Sequence, residues 1–145
     1  MRRGCVLTIT ILAGIVLVIS ITFWIFKWPE LKKTETSKFA YLIEDALEQY
    51  KSDQKSYPPA ATIAAELYGE NVRKKRYLAG LESIVRDGEF TDMWKTPFKI
   101  ELPAEGADEK AKVTSAGPDG EFGNADDITS QLILDEIARN GAKPE

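Results

Sequence analysis

An uncharged apolar segment near the start of the chain constrains the fold more than any other feature. No charged residue occurs from Cys5 to Phe26, and about 20 apolar residues in a helix span the hydrocarbon core of a bilayer. Trp24 and Trp28 lie near one end, where aromatic side chains collect at the membrane interface. A cleavable signal peptide is the alternative, but the run is long for one and no small-x-small cleavage site follows it. The segment therefore predicts a single transmembrane helix.

The chain after Pro29 has the periodicity of an amphipathic helix. Charged side chains, among them Glu44 and Glu48, fill the face that is expected to meet solvent. The Tyr57-Pro58 pair ends this helical region, because a residue before proline is biased away from helical geometry. The apolar face recurs at steps of three and four residues and consists of Phe39, Leu42, Ile43, Ala46, Leu47 and Tyr50.

Four shorter segments complete the predicted secondary structure. We expect a helix at Thr62–Tyr68, strands at Phe98–Leu102 and Lys112–Ser115, and a closing helix at Ile128–Arg139. The first strand alternates apolar and polar residues, and the polar link between the strands predicts an antiparallel hairpin. Trp94 is expected to supply buried area between sheet and helix. The fold class is therefore α+β, with a long N-terminal helix, membrane-spanning and then amphipathic, packed on a small antiparallel sheet.

Length and composition limit both the domain count and the function classes. The chain of 145 residues accommodates one modest soluble domain, so we assign residues 1–28 to a leader and transmembrane helix and residues 29–145 to a globular domain. The net charge of -4 argues against a nucleic-acid-binding face. Histidine is absent, so the chain lacks the commonest general base. The single cysteine, Cys5, excludes an intramolecular disulfide and a thiolate zinc site. We therefore expect no enzymatic activity.

The segment Ser115–Ile128 is an acidic loop that favours a metal ion. It contains four acidic residues, one asparagine and three glycines, without Lys, Arg or His. Carboxylates brought together repel one another unless a cation lies between them, and oxygen ligands on a flexible loop suit calcium better than magnesium. A solvated acidic turn is the alternative, since Asp, Asn and Gly cluster in turns. The spacing does not fit an EF-hand.

Three segments, in this order behind a basic leader and an apolar helix, resemble a known family. They are Leu42–Pro58 (LIEDALEQYKSDQKSYP), Asp92–Phe98 (DMWKTPF) and Ser115–Ile128. Together they are similar to the type IV pilin-like proteins, and most of all to the major pseudopilin of type II secretion. The resemblance covers most of the chain.

The resemblance implies that the acidic loop binds Ca²⁺. By position in the family pattern, the side-chain ligands are Asp119, Asp126 and Asp127. Backbone carbonyl groups near Ala116 and Asn124 would complete the coordination shell. Oxygen-only ligands of this kind are typical of calcium sites.

The chain departs from the family pattern at three places. Gly4 is followed by Cys5 where a prepilin has an aromatic residue, and Ile9 occupies the position of a glutamate that neutralises a neighbouring subunit's N-terminal amine. Loss of that intramembrane charge pair would weaken or change assembly. Lys95 replaces the glycine usual after the tryptophan, so the turn at that point is expected to differ.

Two functional hypotheses follow from the resemblance. The first is a non-enzymatic structural subunit of a pilin-like fibre or of the type II secretion pseudopilus, with a structural calcium site. It would cross the bacterial inner membrane once, hold its C-terminal domain in the periplasm, and associate with its own copies or other pilin-like subunits, without nucleic acid or a small-molecule substrate. The alternative, which Ile9 favours, is a standalone membrane-anchored binding module or a minor pilin that caps a fibre or recruits a partner.

Overall fold

The computed structural model describes residues 2–104 and 107–141, and it describes side chains from residue 14 onwards except residues 25 and 26. The chain divides into two compact units, Met1–Lys32 and Lys33–Glu145. The helices are α1 (Arg2–Gln54), α2 (Ile63–Leu67) and α3 (Gln131–Asn140). The strands are β1 (Val85–Arg86), β2 (Glu89–Phe90), β3 (Lys99–Glu101), β4 (Lys112–Ser115) and β5 (Ile128–Thr129).

The first unit is helical over its described residues. By length and composition, the helical stretch Gly14–Gln54 could cross a membrane, and the side chains from Gly14 to Trp24 are exposed. The rings of Trp24 and Trp28 lie 4.8 Å apart. A helix that is apolar all round is typical of a membrane span. The side chains of Cys5 and Ile9, on which the departures from the family pattern depend, lie outside the described part of the chain.

The second unit has its core on one face of α1. The predicted amphipathic face is confirmed, because its central residues are fully or nearly fully buried. Large aliphatic side chains that become fully buried contribute about 1.5–3 kcal/mol each, so this face anchors the unit. The α1 residues in the core are Ala40, Ile43, Ala46, Leu47 and Tyr50. They pack against Ile63, Ala64, Leu67, Tyr77, Leu78, Leu81, Ile84, Phe90, Phe98, Ala111 and Val113.

Two antiparallel sheets lie on this core. The predicted hairpin is confirmed: β3 pairs with β4, which also pairs with β5. The second sheet, β1 with β2, was not predicted. Its two-residue loop consists of Asp87 and Gly88, and both have positive φ. The turn type that matches the twist of a β-hairpin requires positive φ at both positions. The Asp-Gly pair, one residue removed from Val85 and Phe90 on either side, was the signal for this hairpin.

The C-terminal segment corrects one boundary of the prediction. The helix expected from Ile128 begins only at Gln131, because Ile128 and Thr129 pair with the end of β4 as strand β5. The aromatic core position also differs from the expectation. Trp94 is half-buried, whereas Phe98 is buried in the core.

Two glutamates expected on the solvent face of α1 bind backbone instead. Glu44 Oε1 accepts a hydrogen bond from the Val113 N–H at 2.8 Å, and Glu48 Oε1 accepts one from the Ala111 N–H at 3.2 Å. The Tyr57 hydroxyl donates to the same Glu48 carboxylate. Strand β5 pairs only with the last two residues of β4, so these carboxylates satisfy N–H groups that β5 does not reach.

Candidate functional site

Strand pairing closes the acidic loop at its base. Ser115, the last residue of β4, pairs with Ile128 of β5, so the residues between them must turn back within a short distance. Ala116 is fully buried, and the chain then makes a 3-10 turn at Gly117–Asp119. The loop therefore starts in the core and extends into solvent.

Gly117 brings the start of the loop against its end. Its φ is +68°, and a Cβ atom at this position would lie 2.3 Å from the Asp126 carbonyl oxygen and 3.0 Å from Asp126 Oδ2. A side chain cannot occupy that space, and positive φ disfavours one as well. The backbone after Ala116 and the carboxylate of Asp126 are therefore close neighbours.

One carboxylate oxygen of Asp127 is buried in the loop. Its Oδ2 accepts a hydrogen bond from the Gly123 N–H at 2.9 Å, while its buried Oδ1 has no hydrogen-bond partner among the described residues. Leaving a buried acceptor unsatisfied costs about 1–3 kcal/mol, and more for a charged group. This oxygen is suited to a cation or an ordered water.

Asp119 and Asn124 bind each other across the loop. The Asn124 amide donates to Asp119 Oδ2 at 2.8 Å and to the Glu121 carbonyl at 3.0 Å, and Asn124 Oδ1 accepts from the Asp126 N–H at 3.0 Å. The other oxygen of Asp119 accepts from the Glu121 N–H at 2.9 Å. The Asn124 side chain thus links both halves of the loop, a role separate from that expected of its backbone carbonyl.

The predicted ligands have different contacts within the loop. Asp126 lies against the backbone that follows Ala116, Asp127 binds the Gly123 N–H, and Asp119 faces Asn124. No group of three or more acidic side chains converges as a metal-ligand cluster among the residues described. What the loop offers is a mixture of carboxylate and carbonyl oxygens, and this donor set fits calcium, which takes backbone carbonyls alongside carboxylates.

A buried carboxylate beneath the loop was not singled out from the sequence. Asp92 is 3% exposed, and its Oδ1 accepts from the N–H groups of Trp94 and Thr96 at 2.8 and 2.9 Å. Its Oδ2 accepts from the Ser115 hydroxyl at 2.6 Å, and Ser115 Oγ accepts from the Gly117 N–H at 3.0 Å. This chain of hydrogen bonds holds the start of the acidic loop. An aspartate that opens a turn is the signal that could have identified it.

Lys95 in the same turn adopts a left-handed backbone conformation. Its φ is 71°, and its N–H donates to the Asp92 carbonyl at 3.0 Å. The left-handed region is where glycine is favoured, and the family pattern has glycine here. Lys95 therefore holds a left-handed backbone conformation although it carries a Cβ atom.

Comparison with known proteins places the chain in a family. Residues 30–131 match the family model described as type II secretion system (T2SS), protein G. The match includes strands β1 to β5, the turn at Asp92 and the whole acidic loop, and it ends at the first residue of α3. Comparisons with curated proteins and with solved structures give no match. Because the matched segment spans well over half of the chain, this protein belongs to the type II secretion system protein G family, whose members are structural pseudopilin subunits.

Proposed function

We propose that this protein is a non-enzymatic subunit that assembles with its own copies or other pilin-like subunits into a type II secretion pseudopilus. Its N-terminal helix would cross the bacterial inner membrane once, and the unit Lys33–Glu145 would lie in the periplasm. The family match supports assembly, and the apolar, exposed helix supports the anchor. We place the globular unit in the periplasm because a pseudopilus extends from the inner membrane into the periplasm.

We also propose that the acidic loop holds one structural Ca²⁺. The observation that carries this proposal is the buried Oδ1 of Asp127, which has no hydrogen-bond partner in the described part of the chain. Asp126, Asp127 and the carbonyl of Ala116 would bind the ion, with Asp119 and the carbonyl of Asn124 completing the ligand set. The bound ion would supply positive charge that offsets repulsion among the carboxylates. It would thereby hold the loop against the end of the sheet.

Thermal unfolding of the full-length protein in detergent tests the calcium proposal. A ligand that binds only the folded state stabilises it by about 2.7 kcal/mol at a hundredfold excess over Kd. For a folded unit of this size, that corresponds to a rise in Tm on the order of 10 °C. We expect EDTA to abolish the rise and magnesium at the same concentration to reproduce little of it. Equal Tm values with calcium and with EDTA would contradict the proposal.

Removing one predicted ligand should have the same effect as chelation. We expect Asp119→Ala to lose most of the calcium-dependent rise in Tm, whereas Asp108→Ala, a charge removal at an exposed position outside the loop, keeps it. A full calcium response in the Asp119 variant would show that this carboxylate is not a ligand.

A second candidate function rests on Ile9. Without the family's intramembrane glutamate, the chain would cap a fibre or recruit one partner instead of repeating along it. Chemical crosslinking in native membranes separates the two functions. A ladder of regular multimers supports the repeating subunit, and one heterologous crosslinked band supports the cap.

A further inference from the structure

A rigid basic turn projects from the second unit between α2 and β1. We call Val72–Lys74 the basic turn. Asn71, which is 6% exposed, locks it: its amide donates to the carbonyls of Glu66 and Lys75 at 2.7 and 2.6 Å, and its Oδ1 accepts from the Lys75 N–H at 3.1 Å. Val72 is 97% exposed at the tip. An apolar side chain presented so fully on a fixed turn is suited to contact a partner.

The charges around the basic turn leave its tip positive. Two basic residues that follow the tip are held in ion pairs within the unit. These pairs are Lys75 with Asp53 and Arg76 with Glu82. Arg73 and Lys74 are exposed, and neither forms an ion pair within the part of the chain that the structure describes. Arg73 and Lys74 therefore present two positive charges directly after Val72, and the exposed Glu70 is the one acidic residue just before the turn.

The acidic loop has the complementary properties. It contains four carboxylates and no basic residue, and Phe122 is 46% exposed near its tip. One bound Ca²⁺ would change the formal charge of the loop from -4 to -2, so the loop would stay negative when loaded. Each surface thus has an apolar side chain with charges around it, and the charges are of opposite sign.

The two surfaces lie at opposite ends of the folded unit. The segment that closes the acidic loop is held at Ser37, whose hydroxyl donates to the Thr129 carbonyl at 2.6 Å. The segment that follows the basic turn is held at Asp53, which pairs with Lys75 and accepts from the Tyr77 hydroxyl at 3.2 Å. Ser37 and Asp53 are sixteen positions apart in α1, which is roughly 24 Å along the helix axis at 1.5 Å per residue.

We propose that the basic turn of one copy docks onto the acidic loop of the next copy, with Val72 against Phe122 and Arg73 and Lys74 beside the loop carboxylates. This inference rests on the proposed function as a fibre subunit. A contact between two different surfaces of the same chain is heterologous, and it produces an open filament when successive rotations do not close a ring. Opposite charges at the two surfaces would set the polarity of the filament and disfavour head-to-head pairing.

A charge exchange on the full-length chain in native membranes tests this contact. We expect the double variant Arg73→Glu with Lys74→Glu to reduce crosslinked multimers by at least about tenfold, because like charges then meet across the contact. Adding Glu121→Lys should restore them in part. Glu121 is chosen because it is outside the proposed calcium ligand set. The control, Lys110→Glu with Lys112→Glu, changes the net charge equally at exposed positions elsewhere and should keep the wild-type level.

Engineered cysteines locate the contact directly. In a Cys5→Ser background, Val72→Cys with Phe122→Cys should give disulfide-linked multimers under a mild copper oxidant, whereas either substitution alone should give at most dimers. Wild-type copies could form multimers that these cysteines do not link and that the charge exchange does not change. That result would overturn the docking contact and leave the subunit function standing. If wild-type copies form no multimers, both are overturned.

An anionic membrane is the other surface that the basic turn could meet. In that case wild-type protein would bind phosphatidylglycerol vesicles, the Arg73→Glu with Lys74→Glu variant would not, and adding Glu121→Lys would not restore binding. This result would overturn the docking contact in favour of a lipid contact. Restoration of multimers by Glu121→Lys, without a change in vesicle binding, would support the docking contact.

Discussion

Two aspartates, one before the acidic loop and one within it, differ in how their carboxylate oxygens are satisfied. Asp92 accepts three hydrogen bonds, from two backbone N–H groups and the Ser115 hydroxyl. Asp127 Oδ1 accepts none within the described residues. The run of Asp, Asn and Gly indicated the loop, and the resemblance to the family pattern indicated Asp127 within it. The sequence could not indicate which oxygen lacks a donor, because that depends on how β4 and β5 pair.

Replacing Lys95 with glycine should stabilise the protein. A left-handed backbone costs a side-chain-bearing residue roughly 1–2 kcal/mol, and the greater unfolded-state freedom of glycine offsets about 0.5–1 kcal/mol of that gain. We expect Lys95→Gly to raise the free energy of unfolding by about 0.5–1 kcal/mol in urea titrations. Lys95→Ala, which keeps the Cβ atom at φ 71°, should show no such gain. Equal stability of all three proteins would contradict this interpretation of the turn.

At the scale of elements, the helix α1 was the most predictable part of the fold and β5 the least. A face repeated at steps of three and four identifies a buried helical stripe without tertiary information. The roles of Glu44 and Glu48 could not be predicted, because they depend on which N–H groups in β4 and just before it the short strand β5 leaves unpaired. Sequence periodicity places a side chain on a face, but the pairing of distant strands decides what that side chain binds.

The hydrogen bond from the Tyr57 hydroxyl to Glu48, beside the Ala111 N–H, should fail at alkaline pH. Burial, and then the hydrogen bond to Glu48, raise the pKa of Tyr57 to about 12 from its ordinary value of 10.0. A hydroxyl whose pKa is higher in the folded state contributes stability that is complete below pH 10 and is lost as the pH rises through about 12. Tyr50 and Tyr68 are also raised to about 12, so the wild-type protein should lose stability steeply across this window.

Tyr57→Phe isolates the contribution of this hydroxyl. We expect the variant to be about 1 kcal/mol less stable than wild type at neutral pH, because it loses the bond to Glu48. It should then lose less stability than wild type between pH 10 and 12. Chemical denaturation at several pH values measures both differences. Parallel curves for the two proteins across the alkaline window would contradict the assignment of this loss of stability to Tyr57.

At the scale of the whole molecule, charge is distributed unevenly between the two ends of the second unit. The acidic loop contains four carboxylates and no basic residue, whereas the segment that follows the basic turn is held at Asp53, toward the other end of the amphipathic part of α1. Composition along the sequence predicted the acidic loop. It did not predict the basic turn as a surface, because its exposure depends on the hydrogen bonds of Asn71.

Under the proposed function, this chain is a fibre subunit whose acidic loop requires a metal ion. Crosslinking of the full-length protein in native membranes tests this claim most directly, with calcium in one sample and EDTA in another. With calcium we expect a ladder of evenly spaced multimers, since the loop is then held in place. EDTA should shorten the ladder to monomers and dimers, and restored calcium should lengthen it again. A ladder of the same length in EDTA, or no ladder in either condition, would contradict the account.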